Sequence, residues 1–108
     1  MGFAAFETSL EMVKAMKPLI RQVEKKNKKL ADQMLRAASS VPLNISEGAG
    51  RFGGDRQYHY RIAAGSAREV RAALRVAQLW DYVDDSVVES VDGILDRQLA
   101  LLWGLTKP

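Results

Sequence analysis

Hydrophobic residues recur every three or four positions along most of the chain, which is the spacing of amphipathic helices. Four such segments predict helices at about residues 3–25, 28–49, 55–81 and 85–104, and none shows the alternation of a strand. Because the connections are short, neighbouring helices are expected to run antiparallel. Residues 1–108 are therefore predicted to form one all-α domain, an up-down-up-down four-helix bundle.

The first two helices have clear apolar stripes and one proline each. The stripe of the first comprises Phe3, Phe6, Leu10, Val13, Met16, Ile20 and Val23. Pro18 favours a bend within this helix. The stripe of the second continues in phase across Pro42, which predicts one helix through Leu30, Met34, Ala37, Val41 and Ile45. Before it, Asn27 is predicted to be a cap or a left-handed turn residue.

Glycines and small residues shape the second half of the chain. The second helix is predicted to end in a loop made by Gly48, Gly50, Gly53 and Gly54. Asp55 is the predicted N-cap of the third helix, and Asp84, Asp85 or Ser86 that of the fourth. The third stripe comprises Ile62, Ala63, Ser66, Val70, Ala73, Leu74, Ala77 and Trp80. Its small residues 63–67 predict a close crossing with another helix.

The apolar faces of the first and fourth helices are wider than a single helix contact requires. In the fourth helix the face is formed by Val87, Val88, Val91, Ile94, Leu95, Leu99, Leu102 and Leu105, with Leu101 and Trp103 beside it. Apolar surface left over by one bundle is typical of subunit contacts. We therefore expect a homo-oligomer.

Charge is distributed unevenly along the chain. Residues 1–52 hold nine Lys and Arg against five Asp and Glu, and residues 53–82 hold five against three. Residues 83–108 hold two against five. A largely basic surface predicts an anionic partner, most commonly nucleic acid. The alternative is that a pI near 9.4 serves only solubility.

Composition also bears on location. The chain lacks cysteine, which excludes disulfides and cysteine metal sites. No apolar run approaches the roughly 20 residues of a membrane-spanning helix. The first residues lack the basic and apolar regions of a secretory signal. We expect a cytoplasmic protein without a membrane partner.

Enzymatic chemistry is poorly supported by the residues present. His59, the one histidine, lacks the Glu-x-x-His spacing of a di-iron bundle and stands among arginines. The glycines at 48–54 lack the Lys-Ser/Thr of a phosphate-binding loop. Glu47 and Glu69 could form an acid/base pair, but hydrogen bonding to arginine and nearby Ser and Asn groups is favoured. We predict no enzyme, no metal and no cofactor.

Basic and aromatic residues follow helical spacing on the first and third helices. Such a pattern can track phosphates, and unpaired bases can stack on aromatic rings. The residues expected to bind nucleic acid are Lys14, Lys17, Arg21, Arg56, Tyr58, His59, Arg61, Arg68, Arg71 and Arg75. The alternative is a solvated charged face with tyrosines covering one end of the bundle, in which Tyr60 belongs to the core.

Two strings carry a family resemblance: ASSVPLNISEGAGR at residues 38–51 and AAGSAREVRAALRVA at residues 63–77. They resemble the four-helix-bundle proteins encoded in intervening sequences of bacterial large-subunit ribosomal RNA genes. That family is related to the accessory variability proteins of diversity-generating retroelements. The matching residues, within about 6–82, are Ser40, Val41, Pro42, Asn44, Glu47, Gly48, Arg51, Gly65, Ser66 and Glu69. Ser46 and Ala49 depart from the pattern.

The resemblance implies a ring-shaped homopentamer with a basic surface. In the retroelement branch, such rings bind nucleic acid and the reverse transcriptase. We therefore expect a non-enzymatic oligomer that binds nucleic acid and prefers RNA to DNA, and that is an accessory to a reverse transcriptase if it belongs to that branch. The alternative is a homo-oligomeric protein-interaction scaffold with no direct nucleic-acid role.

Overall fold

The structure, a computed structural model, describes residues 3–107. Its helices are α1 Phe3–Glu24, α2 Lys28–Ala49, α3 Gly53–Leu79 and α4 Asp85–Thr106, and the described residues contain no strand. The prediction of an all-helical chain with four helices is confirmed, and every helix end lies within two residues of the predicted position. None of these helices combines the length and apolarity needed to cross a membrane.

The four helices surround one hydrophobic core. α2 packs against α1 and α3, and α4 packs against α3 and α1. Fully buried side chains come from every helix, the largest being Met12, Met16, Leu19, Met34, Ile45, Leu74, Leu95 and Leu102. Their three- and four-residue spacing turns one face of each helix inward. All five residues of the predicted α2 stripe are buried, and α2 continues through Pro42 as expected.

The core-facing side of α1 differs from the predicted stripe. Phe3 and Leu10 are exposed, whereas Met12 and Leu19, which lie outside that stripe, are fully buried. α1 packs against both α2 and α4, so its buried arc is centred between two neighbours rather than on the most apolar line of its sequence. The apolar residues at the edge of this arc are partly exposed: Phe6, Val13 and Ile20.

Helix starts agree only partly with the predicted caps. Asn27 is the N-cap of α2, and its Oδ1 accepts a hydrogen bond from the Leu30 backbone N–H at 3.0 Å, which confirms the capping prediction. The prediction of Asp55 as the cap of α3 is wrong, because α3 begins earlier, with Phe52 at the N-cap. Gly53 permits this early start, since its φ of +58° is one that side chains disfavour. Asp55 lies in the first turn of α3, where its carboxylate interacts favourably with the partial positive charge of the helix N-terminus.

The turn between α3 and α4 leaves large apolar side chains in solvent. Trp80, predicted to belong to the α3 stripe, is instead the C-cap residue and is 68% exposed. It stacks on Tyr82, with ring centroids 6.5 Å apart. Asp81 between them has a φ of +59°, which is not helical, so α3 ends there and Trp80 lies at its boundary. Asp84 is the N-cap of α4 without a side-chain capping bond.

At Gly48 the side chain of Tyr60 lies close against the backbone of α2. A Cβ on Gly48 would lie 2.8 Å from Tyr60 Cε1 and 3.2 Å from the Arg56 carbonyl oxygen. Gly48, predicted to be a loop residue, is therefore a buried helix residue that makes room for the core side chain of Tyr60. Within the small-residue run 63–67, Ala63 and Ala67 are buried. A Cβ added to Gly65, in contrast, would have no neighbouring atom within 4 Å.

The two glycines provide a matched pair of substitutions. Gly48→Ala should lower the free energy of unfolding by about 1–3 kcal/mol, since the ring of Tyr60 and the Arg56 backbone must move. Gly65→Ala should raise it by about 0.5–1 kcal/mol, because alanine favours a helix interior and meets no atom there. Chemical denaturation measures both. Equal effects of the two substitutions would contradict the assigned contact.

Candidate nucleic-acid interface

Polar side chains join α2 and α3 in one hydrogen-bonded chain. Ser66 Oγ donates to Ser40 Oγ at 2.8 Å. Asn44 Nδ2 donates to the Ser40 carbonyl oxygen at 2.9 Å and to its Oγ at 3.0 Å. Asn44 Oδ1 lies 3.2 Å from His59 Nδ1. These four residues are called the α2–α3 seam, and three of them belong to the motif that carries the family resemblance.

The seam fixes the proton position on His59. The Ser40 carbonyl oxygen can only accept a hydrogen bond, so the amide NH2 of Asn44 must point toward it. Asn44 Oδ1 then faces the ring, and His59 Nδ1 must be the donor. The sequence analysis predicted that His59 is exposed and stacks on bases, whereas in the structure His59 is half-buried and contacts Asn44. We therefore assign His59 to positioning of the helices and retain the more exposed Tyr58 for stacking.

Arg51 fastens the end of α2 to the start of α3. Its guanidinium donates to Glu47 Oε2 at 2.9 and 3.1 Å and to Asp55 Oδ2 at 2.9 Å. These bonds, with Glu47 first, raise the pKa of Arg51 above its ordinary value. The preference for Glu47 as an arginine partner is thus confirmed. Arg56 joins the same loop, since its Nε donates to the Arg51 carbonyl oxygen at 2.8 Å.

Glu47 and Glu69 are not a carboxylate pair. Glu69 lies on α3 beside Leu30 and Gln33 in the first part of α2, whereas Glu47 lies in the last turn of α2. At 1.5 Å per residue these two parts of α2 are about 20 Å apart. The arrangement therefore leaves no shared proton site between the two carboxylates.

Two predicted phosphate ligands are engaged by α4. Arg75 Nη2 lies 2.6 Å from Asp92 Oδ2, and Arg71 Nε lies 3.5 Å from Asp92 Oδ1. Arg71 also pairs with Asp96. Only 29% of the Arg71 side chain and 18% of the Asp92 side chain are exposed, so solvent screens these charges little. We therefore remove Arg71 and Arg75 from the candidate interface. The sequence did contain a signal for this pairing. Asp92 and Asp96 are four residues apart on α4, and Arg71 and Arg75 are four residues apart on α3.

The remaining cations lie on two separate helices. Among the described residues, none of them is within 4.0 Å of a carboxylate: Lys14, Lys17, Arg21, Arg61 and Arg68. α1 and α3 pack mainly against their shared neighbours α2 and α4, not against each other. The sequence combined these cations in one set, but the fold divides them between different sides of the bundle.

The α1 cations border a concave surface. A groove of about 350 Å³ between α1 and α2 is lined by Val13, Lys14, Lys17, Ile20, Arg21, Glu24, Leu35, Ala38 and Ser39. It is called the α1–α2 groove. Its apolar members include Val13 and Ile20, which the core leaves partly exposed. Sequence reasoning missed Leu35, whose only signal was an apolar residue out of phase with the α2 stripe.

Asn44→Ala is expected to lower the free energy of unfolding by about 1–3 kcal/mol, because it leaves partly buried hydrogen-bonding groups of Ser40 and His59 without their partner. Ser46→Ala, at an exposed position of the same helix, is the control and should change it by less than about 0.5 kcal/mol. Thermal melting followed by circular dichroism compares the two. An unchanged melting temperature for Asn44→Ala would refute a structural role of the seam.

Comparisons with known proteins agree with this fold. The chain is similar to the crystal structure of a protein with unknown function from the S23 ribosomal protein family, from Bacteroides thetaiotaomicron. The two are 22% identical over 96% of this chain and 99% of that chain, with a TM-score of 0.89, a likeness that shows the fold alone. No curated protein matches the chain.

A protein-family model also matches the chain, and this match shows which family it belongs to. The model described as 23S rRNA-intervening sequence protein matches residues 3–104. It confirms the resemblance to the intervening-sequence family, and neither this match nor the solved structure names a retroelement protein. Because the match spans nearly the whole chain, the protein belongs to the 23S rRNA-intervening sequence protein family.

Proposed function

We propose that this protein is a non-enzymatic oligomer that binds nucleic acid and prefers RNA. The observation that carries the proposal is the row of Lys14, Lys17 and Arg21 on α1, which are exposed and lie outside the ion pairs of residues 3–107. Uncompensated cations on one helix face bind phosphates and release condensed counterions. The family description, 23S rRNA-intervening sequence protein, favours RNA and a cytoplasmic location.

The internal ion pairs support this assignment because they neutralise arginines of α3 and leave the excess positive charge on the α1 side of the bundle. Asp92 and Asp96 of α4 neutralise the α3 arginines that face them. The turn between α1 and α2 instead adds to the positive charge on the α1 side through exposed lysines: Lys25, Lys26, Lys28 and Lys29. A local excess of one sign steers a polyanion to that part of the surface.

The proposed oligomer is a ring-shaped homopentamer of antiparallel four-helix bundles, as the resemblance implies. Large apolar side chains exposed on the single bundle support subunit contacts: Phe52 and Trp103. Exposed apolar surface of this kind marks interaction sites. Sedimentation equilibrium should therefore give a mass five times the 12.0 kDa of one chain. A mass of 12.0 kDa at micromolar concentration would contradict self-assembly.

Salt dependence tests the nucleic-acid proposal. Lys14→Gln/Lys17→Gln should weaken binding to single-stranded RNA and reduce the slope of log K against log salt by about 1.4, because each phosphate contact on a single strand contributes about 0.7. Filter binding at several salt concentrations between about 50 and 200 mM measures the slope.

The matched control removes two arginines that already have carboxylate partners. Arg36 pairs with Asp32 and Arg97 with Glu11 within the chain. Arg36→Gln/Arg97→Gln removes the same formal charge, yet it should change the slope much less. Equal slopes for the two double variants, or no binding by the unmodified protein, would contradict the assignment of the α1 cations.

A second candidate function is a protein-interaction scaffold. It is favoured by Leu79 and Trp80, which are 84% and 68% exposed at the turn between α3 and α4. A reverse transcriptase is the first partner to test, since the resemblance implies one for the related retroelement proteins. A scaffold should retain its partner after nuclease treatment and lose it in Leu79→Ser/Trp80→Ser. Loss of the partner on nuclease treatment would reject this candidate.

A further inference from the structure

The α1–α2 groove combines an apolar interior with a cationic edge. Val13 and Ile20 of α1 and Leu35 of α2 line its interior, and Leu35 is 53% exposed in the single bundle. Its volume of about 350 Å³ falls within the range of about 300–1,000 Å³ that small-molecule sites occupy. An apolar wall that remains accessible beside three cations suits a ligand with a flat apolar part and an anionic part.

We propose that the α1–α2 groove receives an unstacked base of single-stranded RNA while Lys14, Lys17 and Arg21 hold the flanking phosphates. This inference rests on the proposed function and specifies the nucleic acid: a single strand, a loop or a bulge, not a regular duplex. A base has an apolar face that can pack on side chains once it leaves the stack, whereas the bases of a duplex are unavailable for such packing.

The spacing of the cations fits a single strand. Lys14 and Arg21 are seven residues apart on α1, so their Cα atoms are separated by about 10 Å along the helix axis. Three stacked nucleotides rise by about the same distance, at about 3.4 Å each, and fewer nucleotides cover it where one base has left the stack. The row can therefore contact successive phosphates of one strand while a base between them turns into the groove.

Glu24 gives the groove a direction. This carboxylate lines the same groove one turn beyond Arg21. It disfavours phosphate at that end and accepts hydrogen bonds from the N–H groups of a base edge. Phosphates are thus placed along Lys14, Lys17 and Arg21, and the hydrogen-bonding edge of the inserted base points toward Glu24.

Charge argues against a second copy of the chain as the occupant. An acidic surface of another subunit would have to match the cationic edge. Of the five carboxylates in the acidic part of the chain, residues 83–108, Asp92 and Asp96 are already paired with Arg71 and Arg75, which leaves only Asp84, Asp85 and Glu89 near the start of α4. A polyanion matches this edge better than the partly neutralised α4 does.

The test compares a mixed-sequence 12-nucleotide RNA with the same strand annealed to its complement, each measured by fluorescence anisotropy on the full chain. The unmodified protein should bind the single strand about 5-fold more tightly than the duplex, at the low end of the roughly 5- to 150-fold that a base stacked on an aromatic ring supplies, because the walls of this groove are aliphatic. Leu35→Ala, which removes an apolar wall, and Ser39→Leu, which fills the groove, should each weaken single-strand binding about 5-fold.

The control is Leu43→Ala, which removes an exposed leucine two turns further along α2 and outside the groove. It should leave both affinities unchanged, and all three variants should keep the salt slope because none changes charge. Circular dichroism melting checks that each variant folds. A 2-aminopurine base within the single strand should change its fluorescence on binding the unmodified protein and not on binding Ser39→Leu.

The outcomes separate the two proposals. Salt-dependent binding that does not distinguish single strand from duplex and is unaffected by Leu35→Ala or Ser39→Leu overturns the groove assignment and leaves the proposed function standing. Absence of binding to either RNA overturns both. A change of sedimenting mass in Ser39→Leu, with RNA affinity unchanged, overturns the assignment by identifying the groove as a contact between copies.

Discussion

The ring of Tyr60 lies against the backbone of α2 at Gly48, and the position of α3 along α2 follows from that contact. One turn back along α2, Asn44 meets His59; another turn back, Ser40 meets Ser66. A slide of either helix would drive the ring into a side chain of α2 and leave partly buried polar groups without partners, which is costly. Packing and hydrogen bonding thus enforce the same register between α2 and α3, and the rest of the core packs around these two helices.

Charge is the second organising constraint. The ion pairs of Arg71 and Arg75 with α4 both involve Asp92, whose partial burial makes an unmatched carboxylate unfavourable. The lysines of α1 face solvent and have no such need. The same chain therefore uses one group of cations to hold helices together and leaves another open. Formal charge counts do not distinguish the two groups, but burial and partner distances do.

Hydrophobic spacing predicted the helices and the stripe of α2 that carries its large buried side chains, Leu30, Met34, Val41 and Ile45. It placed Phe3 and Leu10 wrongly, since spacing identifies an apolar face but not the point midway between two neighbouring helices. Gly48 looked like a turn residue because the tyrosine that requires it lies twelve positions away. The groove was hidden for a similar reason: its walls come from two helices, and only their packing brings the walls together.

The direction of the hydrogen bonds in the α2–α3 seam restricts which side chain can stand at position 44. Asn44 donates to Ser40 through its NH2 group and faces His59 Nδ1 with its oxygen. Both ends of the amide are therefore in use, and they have opposite hydrogen-bonding character. An ionised carboxylate of the same size could only accept hydrogen bonds, so it would place an oxygen against the Ser40 carbonyl oxygen and repel it. The seam thus requires an amide at this position, and a side chain of equal size does not suffice.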